Sequence, residues 1–581
     1  MRKNLIAMSA ATLVAGLGLA GGATAAVLTD NGAATTSPTS ATAETVTNGG
    51  IGHQLIIPYY NVQGGNATLF NIVNTDLVNG KAVKVRFRGA SNSDDVFDFQ
   101  LYLSPGDVWA TTITKAADGR ATLSTIDKSC TLPSVINGQP FVTARLPGFL
   151  TDAQKAQQTR EGYVEIFNMA DIPPDAIAAD GSVTAPKVAN PLFTAIKHVN
   201  GVPPCTLSAA FNALTKDPAN LAEAYGLGFR GPTTGLFANF TIINVPKSGA
   251  ETGEAASIAA TIGANGPNGR GNIVFFPQIG GFNLTPDSFT ADPVLRTTLG
   301  PPNGVTNGAA PVQGAYAGGT VPIVQASQFD LPDLSTPYLL IGAYPGTPPA
   351  PADPLIQAEA LTRSLAITSV INEFITDPVI ASNTDWVFSL PTRRYSVAVD
   401  YRTNPVTSNQ RAFTKFPNRD YFDVTNSPIS YNVSTGMPQI CVNTSGTNFF
   451  DREEQNPQVI FTIGFVISPN PPAPPVPQFS LCGEANVLTF NSPFGASVLG
   501  AEIAQANVTV PNNISVGWAA INTPGLATGN GVGVNAPSPG GNGLPILGKA
   551  YVTARNNAVQ AGFTTNFGGS YEHRYQRPTA P

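Results

Sequence analysis

Short clusters of carboxylates are the groups in this chain whose type and spacing could do chemistry. Asp94, Asp95 and Asp98 lie in SNSDDVFDF, Asp420 and Asp423 in NRDYFDVTN, and Asp451, Glu453 and Glu454 in FFDREEQNP. A hard cation such as Ca2+ takes about six to eight oxygens from carboxylates, amide carbonyls and backbone, which loops rich in Asn and Asp supply. Asp94, Asp95 and Asp98 are therefore the candidate Ca2+ ligands, and Ca2+ the one candidate cofactor. The competing reading is a set of Asx-turns and solvated faces, since no cluster carries an EF-hand loop or a GGxGxD repeat. Glycoside hydrolysis would need two carboxylates flanking a sugar, and the sequence sets no two of them opposite each other.

Other reactive motifs lack their partners. His53, His198 and His573 are far apart, with no second ligand at metal spacing, and read as exposed or capping residues. Neither HExxH nor GxSxG occurs, so metalloprotease and α/β-hydrolase chemistry has no carrier. Gly226 to Gly231 (GLGFRG) fits GxGxxG by letter, but a phosphate cradle needs a strand before it and a helix after it. Here a helix-like piece precedes and Pro232 and a strand follow, so a turn is expected. Tyr59, Tyr60, Trp109, Trp386 and Trp518 could stack on sugars, yet their intervals suit sandwich cores better.

Four cysteines, Cys130, Cys205, Cys441 and Cys482, allow three pairings. Joining Cys130 to Cys205 and Cys441 to Cys482 is the simplest, because each bridge then closes a loop within one half of the chain. The absence of CxxC leaves no redox pair and no zinc ribbon. An even count suits an exported protein, and the N-terminus supplies the address. Arg2 and Lys3 precede an apolar run from Leu5 to Leu19, and Ala23-Thr24-Ala25 forms a small-x-small site. A signal peptide over residues 1–25, cleaved after Ala25 or Ala26, is expected. No later stretch approaches the ~18 unbroken apolar residues of a spanning helix, so no membrane-spanning segment is expected after cleavage.

Composition narrows the class further. With 42% hydrophobic residues the chain is too apolar for disorder, and 57 Gly and 51 Pro make it too rich in turn formers for a helical fold. A net charge of -6 without a basic cluster argues against a nucleic-acid surface.

Strands must position these groups. Leu69 to Val73 is one run; Ala82 to Phe87 alternates Val83, Val85 and Phe87 against Lys84 and Arg86; Val96 to Leu103 alternates again. This periodicity predicts strands with one face buried and one wet. Asn79-Gly80 predicts a tight hairpin between the first two runs, and Ser104-Pro105-Gly106-Asp107 a type II turn after the third. Thr151 to Arg160 and Leu207 to Leu221 read as helices, as does Pro354 to Phe374 with its apolar residues near helical spacing. Tyr163 to Met169, Leu236 to Val245, Val387 to Leu390, Tyr395 to Tyr401, Val459 to Ile467, Ser515 to Ile521 and Leu544 to Ala554 read as strands. LFANFTIINV (236–245), TLFNIVNT (68–75) and EIFNMA (165–170) share an Asn after a bulky apolar pair, which is either an internal duplication or a compositional habit. The expected fold is mainly β: two or more antiparallel β-sandwich domains with a few inserted helices and long Gly/Pro/Asn-rich loops. Residues 26–50 read as a flexible tether, 51–230 as an N-terminal sandwich, and 231–581 as a β-rich region that divides near 345–355.

Four stretches, LIIPYYNVQGGNATLFNIVNTD, NGKAVKVRFRGASNSDDVFDFQLYLSPGDVW, EGYVEIFNMADIP and NTDWVFSLPTRRYSV, resemble surface-layer-type proteins of Gram-negative β-proteobacteria. These coat outer membranes and sheath extruded vesicle tubes called nanopods. The resemblance spans much of Leu55 to Val397 and implies no catalytic residues. The chain carries neither surface-layer-homology anchor repeats nor calcium-toxin repeats. What the resemblance implies is an exported, non-enzymatic protein at the cell surface or outer membrane. Its expected partners are copies of itself and an outer-membrane or envelope glycan component. An exported glycan-binding protein or adhesin is the alternative, and a secreted hydrolase ranks last.

Overall fold

The computed structural model describes residues 41–275 and 354–578 with interruptions, the longest at 206–217, 414–420, 454–479, 491–496 and 524–541, together with residues 26–28 and 30. The architecture is mainly β, in several antiparallel sheets with few helices. Two sheets pack face to face in the N-terminal half. One runs in the order β10 (Gln139–Pro140), β8 (Ala121–Ser124), β7 (Val108–Lys115), β4 (Asn66–Asn74), β12 (Leu236–Asn244), β13 (Gly249–Glu254). The other runs β2 (Ala43–Val46), β14 (Ala256–Thr261), β3 (Gln54–Asn61), β11 (Glu161–Ile172), β5 (Gly80–Gly89), β6 (Asp95–Leu103), β9 (Cys130–Leu132). A short ribbon pairs β1 (Ala26–Leu28) with β15 (Ile273–Phe275). Between the sheets lie Ile57, Phe70, Ile72, Val83, Val85, Phe87, Phe99 and Trp109, the inward members of the alternating runs. The helices α1 (Asp152–Gln158), α2 (Pro191–Ile196) and α3 (Leu221–Gly226) sit in the connections.

The second unit opens with α4 (Pro354–Leu365). One of its sheets orders β23 (Gly446–Asp451), β27 (Val516–Asn522), β17 (Ser369–Ile375) and β32 (Arg574–Gln576). A larger one orders β26 (Gln505–Val508), β25 (Ala485–Phe490), β18 (Ser382–Ser389), β29 (Lys549–Gln560) and β30 (Phe563–Asn566), with β31 (Gly569–Glu572) also on β29. Smaller pairings join β16 (Ala366–Ile367) to β28 (Leu544–Pro545) and β19 (Val397–Val399) to β20 (Arg411–Phe413). A third set lines up β21 (Ile429–Tyr431), β22 (Pro438–Asn443) and β24 (Ser480–Cys482). Phe374, Trp386 and Phe490 form the aromatic centre, Phe374 stacked on Phe490 at 5.1 Å and Trp386 4.7 Å from it.

The cysteines pair as the simplest scheme has it, Cys130 with Cys205 and Cys441 with Cys482. The second bridge joins residues directly opposite each other on β22 and β24. Thr151 caps α1 with a reciprocal capping box through Gln154, which satisfies the first free amides of the helix.

Several expectations are corrected. Asn79-Gly80 does not close a hairpin, because β4 and β5 belong to different sheets. Asp76 builds a corner there instead, accepting from the amides of Val78 at 2.8 Å and Asn79 at 2.9 Å. Gly106 does take the positive φ of a type II turn, +73°, but that turn also crosses between sheets. Residues 26–50 are not simply a tether, since they contribute β1 and β2. The boundary at residue 230 also fails: β12, β13 and β14 complete the two N-terminal sheets, and the second unit is first seen at Pro354. The helix expected to reach Phe374 stops at Leu365. The run Ile367-Thr368-Ser369-Val370-Ile371 that follows is rich in β-branched residues, which lose χ1 freedom in a helix, and it finds extended partners in β28 and β27. Most of the helix expected at Leu207 to Leu221, and all of the strand at Val459 to Ile467, lie outside the described residues.

Candidate functional site

The outward face of the seven-stranded sheet, expected to be wet, is buried. Across β6, β5 and β11 the register sets Asp98 beside Arg86 and Arg86 beside Glu165; one rank along, Asp95 lies beside Arg88 and Arg88 beside Tyr163. Lys84 on the same face forms an ion pair with Asp98. Onto this face folds the turn Arg393–Tyr395 from the second unit, with Glu484 at the start of the segment leading into β25. Five cations (Lys84, Arg86, Arg88, Arg393, Arg394) and five carboxylates (Asp94, Asp95, Asp98, Glu165, Glu484) thus meet in one seam, none more than 6% exposed.

Glu165 is the hinge-pin of this seam. One of its oxygens accepts from Arg394 at 2.6 Å and the other from Arg88 Nε at 3.2 Å. Burial alone would raise its pKa, but Arg394, Arg88 and Arg86 together hold it below the ordinary value. The Arg394 guanidinium also lies 4.3 Å from the centre of the Tyr395 ring. Arg393 pairs with Glu484 at 2.6 Å. Arg86 stands over the Phe167 ring at 5.6 Å. Charges this deep are tolerated because each meets an opposite charge or a hydrogen-bond partner; breaking one such pair leaves an uncompensated ion in low dielectric.

The three candidate Ca2+ ligands fall in this seam, but on different partners. Asp98 is turned to Lys84, and Asp95 lies opposite Arg88. Asp94 accepts from the Tyr401 hydroxyl at 3.2 Å. Its carboxyl is pushed up to about 7 by burial, against the pull of Tyr401, Arg88 and Arg393. Among the described residues no group of three or more His, Cys, Asp and Glu gathers as a metal-holding set. Of the other clusters, Asp423 makes an Asx-type turn to the amides of Thr425 and Asn426. Asp420 and Glu454 lie outside the described residues.

A second clasp, which nothing in the sequence pattern announced, ties the halves together nearby. The Glu161 carboxylate accepts from the amides of Glu502, Ile503 and Ala504 at 2.7, 3.0 and 3.2 Å, and from the Tyr59 hydroxyl at 3.1 Å. The side-chain Nδ2 groups of Asn61 and Asn66 donate to the Leu499 carbonyl at 2.8 and 2.6 Å. The ionic seam did leave a trace in the sequence. VKVRFRG places three cations at alternating positions and DVFDF carries carboxylates on the adjacent run, which suits cross-strand pairing, although Asp95 and Asp98 are three residues apart and reach the same face only through the register shift at Phe87/Arg88.

The histidines are corrected as well. His53 and His573 are buried, not exposed or capping. The His53 ring contacts the Gly269 carbonyl at 3.1 Å and accepts from the Ala260 amide at 3.1 Å. Burial lowers both imidazoles to about 3. Tyr59, Tyr60, Trp109 and Trp386 are core residues, whereas Trp518 is 38% exposed and stacks on Phe450 at 4.1 Å.

Concave surfaces open to solvent among the described residues include two of note. One, about 480 Å³, lies on the outer face of the six-stranded sheet, where Asn71, Thr112, Ser124, Asn137, Asn239 and Thr241 present amides and hydroxyls without a formal charge. The other, about 580 Å³, lies where the two units meet, between Asn48, Glu254, Lys549, Glu572 and Tyr575. No helix among the described residues is long and apolar enough to cross a membrane. No protein-family model, curated protein or solved structure matches this chain, so its function has to be argued from its own residues.

Proposed function

We propose that this is an exported, non-enzymatic structural protein that assembles with copies of itself into a layer or sheath on the outer membrane. The observation that carries this reading is the buried seam of five cations and five carboxylates. Stretches from three of the four segments on which the surface-layer resemblance rests (Arg86 to Asp98, Tyr163 to Glu165, and Arg393 to Tyr395) meet in it. A seam of that kind fixes the two units against each other, and a subunit repeated by identical contacts needs its contact faces held at fixed angles. Electron microscopy of isolated envelopes is expected to find the chain in an ordered layer; a soluble monomer with no envelope association would overturn the reading. Imaging the mature chain with and without Ca2+ tests the calcium requirement separately, because a layer intact in chelator removes it.

The trough on the six-stranded sheet favours a second reading, a glycan-binding protein or adhesin. Its amides and hydroxyls both donate and accept, which suits a neutral, hydroxyl-rich ligand. A glycan array separates the two readings, since a lattice subunit need bind no free sugar.

A further inference from the structure

The described parts of the N-terminal arm, residues 26–28, 30 and 41–46, are held to the body through groups that a second copy would present equally well. β1 adds to β15 through three register pairs, Ala26 with Phe275, Val27 with Val274 and Leu28 with Ile273. Asp30, 1% exposed, then fills a socket. Its carboxylate accepts from the Gly231 amide at 2.7 Å, the Tyr225 hydroxyl at 2.9 Å and Arg230 Nε at 3.2 Å. Further along, the Ala41 amide donates to the Arg270 carbonyl at 2.8 Å, and Ala41 is buried against Phe167 and Ala260. β2 forms the outer edge of the seven-stranded sheet, with β14 as its strand neighbour.

Nothing covalent fixes the arm beyond the chain itself, because both disulfides lie elsewhere. β2 and β3 flank β14 on opposite sides and run in the same direction, so residues 47–53 must loop out to get from one side to the other. Asn48 and Gly49 in that connection are exposed, and Gly50 has φ +70°. An added edge strand, a carboxylate in a socket and one exposed hinge are the ingredients of strand exchange between identical chains. Exchange keeps every docked contact, while an undocked arm would take the Asp30 acceptor from Arg230 Nε and the Gly231 amide and leave the edge of β14 bare.

We propose that in the assembled protein this arm docks on β14, β15 and the Arg230 socket of a neighbouring copy, so that strand exchange ties subunit to subunit. The proposal rests on the self-assembly reading above and supplies its linkage. Signal-peptide removal after Ala25 would place the new amino terminus at the first residue of β1.

Thr45 and Ala259 are direct partners across β2 and β14, so a Thr45→Cys/Ala259→Cys chain reports where the arm sits. In assembled full-length mature protein, oxidation is expected to give a ladder of covalent multimers on a non-reducing gel. Cross-linked monomer alone, in material that still assembles, overturns exchange and leaves self-assembly standing. A mixing experiment guards against misfolding of the cysteine variant. Asp30→Lys and Arg230→Glu chains are each expected to assemble several-fold less than the parent, and an equal mixture to recover, because each arm then meets its complement on the other chain. Failure of the mixture to recover counts against exchange, and a parent chain that never assembles brings down both proposals together.

Discussion

Glu165 shows why charge inside this fold is a matter of pairing. It holds Arg88 and Arg394 at once, so Glu165→Gln removes the charge that balances two guanidinium groups in a buried seam. A loss of about 3–5 kcal/mol is expected, read as a lower urea midpoint with the β-structure retained. The buried acids also set a pH dependence. Burial raises Glu44 to about 8 and Asp94 and Glu251 to about 7. Between their ordinary values and these raised ones the folded state holds protons that the unfolded chain has released, so stability falls as pH rises. His53 and His573 act in the opposite direction, but only below the ordinary imidazole value of 6.5, where the unfolded chain gains protons that the folded one refuses. From pH 6.5 to 8 the carboxyls therefore decide, and the thermal midpoint is expected to drop. In Glu44→Gln the drop should be shallower; an unchanged slope would mean that Glu44 titrates normally.

At the scale of elements, the alternating runs became strands where the pattern placed them, and α1 formed within the run from Thr151 to Arg160. The connections were another matter. Asn79-Gly80 carries the residues of a tight hairpin, yet β4 and β5 part company because each finds better partners in different sheets, β7 and β12 for one and β6 and β11 for the other. The resembling strands β4 and β12 lie side by side, with Asn71 opposite Asn239 and Phe70 opposite Phe240. The Asn residues they share with β11 do different work, however. Asn71 accepts from the Asn239 amide on the outer face, Asn168 donates to Asp171 in the interior, and Asn244 caps the turn after β12. The disulfides span 75 and 41 residues. Replacing either pair by serine is expected to cost about 4 kcal/mol in the loop-entropy account, measured by chemical denaturation.

Taken as a whole, the molecule joins two β units through charge and hydrogen bonds as well as apolar contact. Glu165 with Arg394, Glu161 with the 502–504 amides, and Asn92 with the Pro438 carbonyl all cross between them. Separating the units would uncover these groups together, so they are expected to unfold as one cooperative transition in calorimetry. Two resolved transitions would show that the seam does not couple them. In Arg394→Ala the coupling should weaken and the transition broaden or split.

By itself the sequence determined the mainly β class, the inward faces of the runs around Val85 and Phe99 and the helix that follows Thr151, and it marked one cysteine pairing as the simplest of three. Each of these follows from neighbours within one run, or from loop closure within one half of the chain. Only the tertiary structure decided that Lys84 and Arg86 are buried instead of facing water, that residues 26–28 and 43–46 pair with β15 and β14, and that Asp94, Asp95 and Asp98 go to separate partners. Burial of a strand's outer face depends on what a distant segment lays over it, and period-two alternation carries no information about that segment.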